Sequence, residues 1–163
     1  MWWRGTRWWG CRGSWWGGRV WGGGARGKVD LTQAYTYSDF HYKDDDRFGD
    51  NQLPGIPKHY YQAELRYSLP NGVYTSLNTE HVSRIAVDYA NSYYAAPYTL
   101  FGARVGYAAP KHDWDTWLDL RNLTNKHYAA TVTPGYDDKG QDAARSFAGD
   151  GFGVYVGASW NIL

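Results

Sequence analysis

The stretch Phe152-Gly-Val-Tyr-Val-Gly-Ala-Ser-Trp-Asn-Ile-Leu163 decides how this chain is read. Successive side chains of a strand point to opposite faces. Phe152, Val154, Val156, Ala158, Trp160 and Ile162 therefore share one face, and Gly153, Tyr155, Gly157, Ser159 and Asn161 share the other. An apolar stripe backed by small or polar residues, in strands of about ten residues, is what a membrane β-barrel needs, with lipid outside and water inside.

The same alternation runs back along the chain to Val29, and six strands are expected. They are Val29–Tyr42, Ile56–Leu69, Val73–Val82, Tyr98–Ala108, Asp113–Leu123 and the closing run from Phe152. In the second, Tyr61, Ala63, Leu65, Tyr67 and Leu69 oppose Tyr60, Gln62, Glu64, Arg66 and Ser68. In the fourth, Thr99, Phe101, Ala103, Val105 and Tyr107 oppose Gly102, Arg104 and Gly106, and in the fifth Trp114, Thr116, Leu118 and Leu120 oppose Asp115, Trp117, Asp119 and Arg121. Pro70-Asn71-Gly72 and Pro110–His112 make short turns, Asn-Gly being a strong hairpin signal. The connections Lys43–Gly55, Ser83–Pro97 and the stretch up to Asp150 are long. Long and short connections alternate strictly, as in outer-membrane barrels with short periplasmic turns and long extracellular loops. The fold class is all-β, an antiparallel up-and-down meander of about six strands. Tyr60, Tyr61, Tyr67, Tyr98, Tyr107, Trp114 and Trp160, near strand ends, suit the aromatic girdles of a bilayer.

Composition agrees. Mean hydropathy is −0.65, and no run of 18 apolar residues exists, which excludes a transmembrane helix. A barrel strand needs only alternate residues apolar. A single cysteine, Cys11, allows neither an internal disulfide nor a zinc cluster. Residues 1–28 stand apart: they hold seven of the ten Trp, nine of the 20 Gly, five Arg and one Lys, with no acid, whereas residues 29–163 carry a net charge of −5. Gly-rich sequence without periodicity repays little of its ordering entropy, so an irregular low-complexity segment is expected. The G-rich codons of Trp, Gly and Arg also fit a misread frame or start, with a junction near Lys28-Val29.

Three stretches resemble the C-terminal barrel of TonB-dependent outer-membrane receptors. Leu53-Pro54-Gly55-Ile56-Pro57-Lys58-His59 looks like the family's proline-rich approach to a late strand, and Asp119-Leu-Arg-Asn-Leu-Thr-Asn-Lys-His-Tyr128 like its element near the end of the penultimate strand. Tyr155, Gly157, Trp160 and Ile162 resemble the signal read by the barrel assembly machinery, although the chain ends on Leu163 rather than an aromatic residue. The resemblance covers Val29–Leu163 and implies a segment of a transmembrane barrel of about 22 strands. It implies an outer-membrane location with a periplasmic C-terminus, a ferric siderophore or similar scarce nutrient as ligand, and TonB engaged through a plug domain that these residues do not contain. About six strands cannot close such a barrel, and an open edge in lipid leaves backbone groups unsatisfied, so a fragment not competent for transport by itself is expected. In the family, aromatic and Arg side chains of outward loops capture the ligand; here these are Arg84, Tyr89, Tyr93, Tyr94, Tyr136 and Arg145.

No catalytic motif is present, and an enzyme is not expected. The five histidines lack metal-ligand spacing, and Asp44-Asp45-Asp46 reads as a solvated loop run rather than a cation site. No cofactor and no nucleic-acid partner are expected. Two other readings use the same pattern: a small structural outer-membrane barrel or adhesin, which needs about eight strands, and a soluble aromatic-rich carbohydrate-binding β-module.

Overall fold

The computed structural model describes residues 12–24, 27–109, 113–135 and 143–160, with the backbone alone for 12–24, 135 and 143–145. The chain is built of strands: β1 Arg12–Gly24, β2 Gly27–Asp39, β3 His59–Ser68, β4 Val73–Val82, β5 Ile85–Ala86, β6 Tyr94–Ala95, β7 Tyr98–Ala108, β8 Trp114–Arg121, β9 Ala129–Gly135, β10 Ala143–Ala148 and β11 Gly153–Trp160. One sheet of seven strands runs β1-β2-β3-β4-β7-β8-β11, and β5-β6 and β9-β10 are separate two-stranded hairpins. Every neighbouring pair in the large sheet is antiparallel. Among the described residues the sheet does not close, because β1 and β11 each pair on one side only.

Two differences from the expected elements have physical causes. Arg12–Gly24 is a strand, whereas an irregular segment is expected there; it pairs residue for residue with Gly27–Asp39. Its regularity comes from the row of backbone donors and acceptors that β2 presents, not from any apolar period of its own. The long connections also hold more order than polar sequence suggests. Ile85-Ala86 pairs with Tyr94-Ala95, and Ala129–Gly135 pairs with Ala143–Ala148.

The register sorts the side chains into two faces, because directly opposed residues lie on the same side. One cross-strand row is Leu31-Leu65-Leu77-Ala103-Leu120-Val154, and the next is Val29-Tyr67-Thr75-Val105-Leu118-Val156. The opposite face carries Asp30-Arg66-Ser76-Arg104-Asp119-Tyr155. The apolar face is the uncovered one: Val156 is 78 % exposed, Trp160 73 %, Leu77 58 % and Val105 53 %. A soluble sandwich buries its apolar face, and a contiguous exposed apolar surface of this kind marks a membrane or partner contact. Tyr61, Tyr67, Tyr107, Trp114 and Trp160 sit on this outer face as a girdle requires. Tyr60 and Tyr98 do not; their row is Thr36-Tyr60-Val82-Tyr98, on the polar face, where Tyr98 is buried.

On the inner face, rings lie across glycines. A Cβ on Gly106 would stand 2.3 Å from Tyr74 Cζ, and one on Gly157 would stand 2.4 Å from Trp117 Cζ2. The Tyr74 ring cannot yield, since the Arg66 guanidinium covers it at 3.8 Å and its hydroxyl donates to Asp115 at 3.0 Å. Gly106→Ala should therefore cost about 1–3 kcal/mol through overpacking. A urea titration of the refolded receptor should show the lower midpoint; an unchanged midpoint would mean that the ring is not held.

Candidate functional site

The residues below the mouth of the inner face form a charged wall. Asp119, buried, accepts from Arg104 Nη2 at 3.2 Å and from Arg121 Nε at 2.9 Å. Arg104 lies 5.9 Å from the Trp117 ring and Arg121 4.5 Å from that of Tyr155. Each guanidinium is thus fixed by a carboxylate and an aromatic face, an arrangement that hydrates the lumen wall while holding its rotamers. Shallow concavities of about 340 and 350 Å³ lie along the same wall over β2, β3 and β4, bordered by Thr32, Glu64, Asn78 and Glu80 in one case and by Lys28, Asp30 and Arg66 in the other.

Above the wall the three long connections are knitted into one cap. Its apolar centre is Val82, Ile85 and Tyr98, against which Tyr60, Ala95, Leu100, Tyr128 and Val132 pack. Tyr98 and Tyr128 meet with ring centroids 4.5 Å apart. Burial first, then the Glu80 and Asp150 carboxylates, push the Tyr128 phenol above its ordinary range. Glu80 accepts from Tyr60 at 3.3 Å and from Tyr98 at 3.4 Å.

The cap spans sequence-distant loops. Gly55 N–H donates to the Ala86 carbonyl at 2.9 Å. Asn91, at φ 57°, accepts from Gln52 N–H at 2.8 Å and returns a bond to the Gln52 carbonyl at 2.9 Å. Asn51 donates to the Tyr89 carbonyl, and the Phe48 ring lies tilted between Tyr42 at 5.1 Å and Tyr89 at 5.4 Å. Buried Asp88 caps its own loop by accepting from Ser92 and Tyr93 N–H groups.

The segment Asn122–Tyr128 is tied down by its own asparagines. Buried Asn122 donates to the carbonyls of Lys126 and Asp150, both at 2.9 Å, and accepts from Lys126 N–H at 2.8 Å. Asn125 accepts from Phe152 N–H at 2.9 Å. Both asparagines have positive φ, 48° and 49°, a conformation that Asn tolerates better than most residues. The element is a clamp that joins the end of β8 to the start of β11. It also delivers Tyr128 to the cap.

The expected ligand residues divide. Arg84 lies over the Tyr94 ring at 4.8 Å, and Tyr93, the preceding residue, is 65 % exposed. Tyr89 is engaged with Phe48. Arg145 is described by its backbone, opposite Thr133, and Tyr136 lies outside the described residues. Of the expected assembly signal, Tyr155 faces the lumen wall, Gly157 receives Trp117, and Trp160 is outward; Ile162 lies outside the described residues. The Asp run serves the loop itself: Asp45 accepts from Arg47 and Phe48 N–H groups. Sequence reasoning missed Phe48, Asn51, Asn91, Tyr98 and Tyr128 as cap residues. Parity along β7 alone places Tyr98 with Gly102 and Arg104 on the inner face; the loop pairings carry no sequence signal.

The sequence pattern of the family described as TonB dependent receptor-like, beta-barrel matches residues 7–125. The chain belongs to that family. TonB-dependent receptors are outer-membrane proteins, and the solved receptors similar to this chain share its fold. The unliganded ferric citrate transporter FecA is 23% identical, with a TM-score of 0.67 over 80% of this chain and 20% of that one. The ferric yersiniabactin uptake receptor FyuA from Yersinia pestis is 14% identical, with a TM-score of 0.62 over 82% of this chain and 23% of that one. The siderophore receptor PiuA from Acinetobacter baumannii is 20% identical, with a TM-score of 0.60 over 81% of this chain and 20% of that one. The chain therefore spans about a fifth of the length of those TonB-dependent receptors.

Proposed function

We propose that this chain is a wall segment, with its outer loops, of a TonB-dependent receptor that takes up a ferric siderophore or a similar scarce nutrient. The observation that carries the reading is the seven-stranded antiparallel sheet with an uncovered apolar outer face, a charged inner face, and all its long connections at one end. The long connections then lie outside the cell and the C-terminus in the periplasm. TonB acts through a plug domain supplied by other parts of the receptor, and the assembly machinery reads Tyr155, Gly157, Trp160 and Ile162. Among the described residues β1 and β11 each keep an unpaired edge, which in lipid leaves backbone groups unsatisfied, so the segment does not transport alone. Uptake restored in a receptor-deficient strain by this chain alone would contradict that.

The ligand surface is the cap, with Arg84 over Tyr94 and neighbouring Tyr93 at its exposed part. Arg145 and Tyr136 complete the set. Guanidinium groups and tyrosine faces suit an anionic or catecholate chelate through charge-assisted hydrogen bonds and stacking. Replacing Arg84 and Arg145 together by Ala in the receptor should weaken equilibrium binding by about tenfold or more, since hydrogen bonds to charged groups are worth about 1.5–3 kcal/mol. Unchanged affinity by fluorescence titration would remove these residues from the site.

A further inference from the structure

The longest run of buried residues among the described ones, Ile85–Asp88, lies in a long connection rather than in the sheet. Segments of that kind are ordinarily the least buried and the first to open. The run is one arm of a hairpin. Ile85 and Ala86 pair with Ala95 and Tyr94, and Val87 N–H donates to the Tyr93 carbonyl at 3.0 Å. Arg84 leads into the first arm and Tyr94 lies on the second, so the 4.8 Å approach of guanidinium to ring follows from the pairing of the two.

Asn91 fastens the turn of this hairpin to the first long connection. Its Oδ1 accepts from Gln52 N–H at 2.8 Å. Its Nδ2 donates to the Gln52 carbonyl at 2.9 Å and to the Asp88 carbonyl at 3.2 Å. Both donors of the amide are thus in use together with its acceptor, and the two backbone groups of Gln52 are engaged as a neighbouring strand would engage them. Asn51 and Gly55 bond to the carbonyls of Tyr89 and Ala86 on either side. Each of these bonds joins groups of the chain itself. The order of the hairpin is therefore built into the fold, and no bound molecule has to supply it.

We infer that Asn91 is a positioning residue for the ligand surface: by holding the hairpin to the first long connection it presets the Arg84–Tyr94 pair, and an anionic chelate meets a surface already formed. The inference rests on the reading of that pair as ligand-binding. A receptor whose competent state is only partly populated binds more weakly by that fraction, and a conformational step before docking slows association. Loosening the hairpin should therefore act on the association rate, whereas removing a contact acts on dissociation.

Hydrogen–deuterium exchange of the purified receptor should show the Gln52, Val87 and Tyr93 amides protected before any ligand is added. They should be no better protected at saturation with the ferric complex of 2,3-dihydroxybenzoate, an anionic catecholate chelate. Protection that appears only with the chelate overturns the preset surface. Asn91→Gly keeps access to the positive φ of this position and removes the side chain. It should speed exchange at Gln52 about tenfold or more and slow association of the chelate, followed by stopped-flow fluorescence, about tenfold, with dissociation unchanged. Arg84→Ala should instead speed dissociation. An Asn91→Gly variant that associates at the wild-type rate, or that loses affinity through dissociation, overturns the role of Asn91. If that variant does not fold, Asn51→Ala should slow association severalfold, and an unchanged rate is equally decisive. Chelate bound by Arg84→Ala as by the wild type overturns the ligand reading and the role of Asn91 with it, whereas exchange at the hairpin is blind to that outcome.

Discussion

Leu77→Arg should destabilise the receptor barrel by about 2–4 kcal/mol, the range measured for a cation on the lipid face near the bilayer midplane. Leu77 lies in the middle row of the outer face, between Leu65 and Ala103, and is 58 % exposed. In water an exposed leucine replaced by arginine is close to neutral, since surface changes seldom exceed about 0.5 kcal/mol. The size of the effect therefore reports the solvent. Asn78→Arg, one residue along the same strand, faces the lumen wall beside Glu64 and should cost little. Equilibrium unfolding in lipid vesicles measures both. Equal, small effects would mean that the apolar face does not meet lipid.

Tyr98→Ala should cost about 3–5 kcal/mol, as for other truncations of buried aromatic residues, and the loss should be concentrated at the loop end. Tyr98 joins the sheet to the cap: its ring meets Tyr128 at 4.5 Å, its hydroxyl donates to Glu80, and Val82 and Ile85 close around it. Removing the ring opens a space that neither the β-ladder below nor the hairpins above can fill. Limited proteolysis should then cut within residues 83–97 and 122–135 far faster than in the wild type. The pairings of β3, β4 and β7 should survive, because their backbone ladders and outer rows do not involve the ring. Cleavage at the wild-type rate would show that the three connections are ordered independently.

The sheet was legible in the sequence wherever a period of two carried both faces. β4, β7, β8 and β11 match the expected strands closely, because an outer stripe rich in apolar residues alternates with small or polar inner residues through most of their length. β1 was not legible, since Trp, Gly and Arg give no apolar period and its order depends on the edge of β2. Tyr60 and Tyr98 were assigned by their closeness to strand ends, whereas parity decides, and it places them inside. The family element after β8 was visible as a motif, yet its purpose appears only when Asn122 reaches Asp150 and Asn125 reaches Phe152 across the intervening hairpin. The cap is the least legible part. Asn51 with Tyr89, Gln52 with Asn91 and Gly55 with Ala86 are long-range pairings of ordinary loop residues, and nothing local announces them.

The central claim is that one face of this sheet meets lipid and the other meets the aqueous interior of a barrel. A nitroxide scan along β3, from Tyr61 to Tyr67, in the receptor reconstituted in lipid vesicles tests it most directly. Collision with oxygen, which concentrates in the bilayer, should peak at positions 61, 63, 65 and 67, and collision with a water-soluble nickel chelate at 62, 64 and 66. An oscillation of the opposite phase, or none at all, would contradict the account.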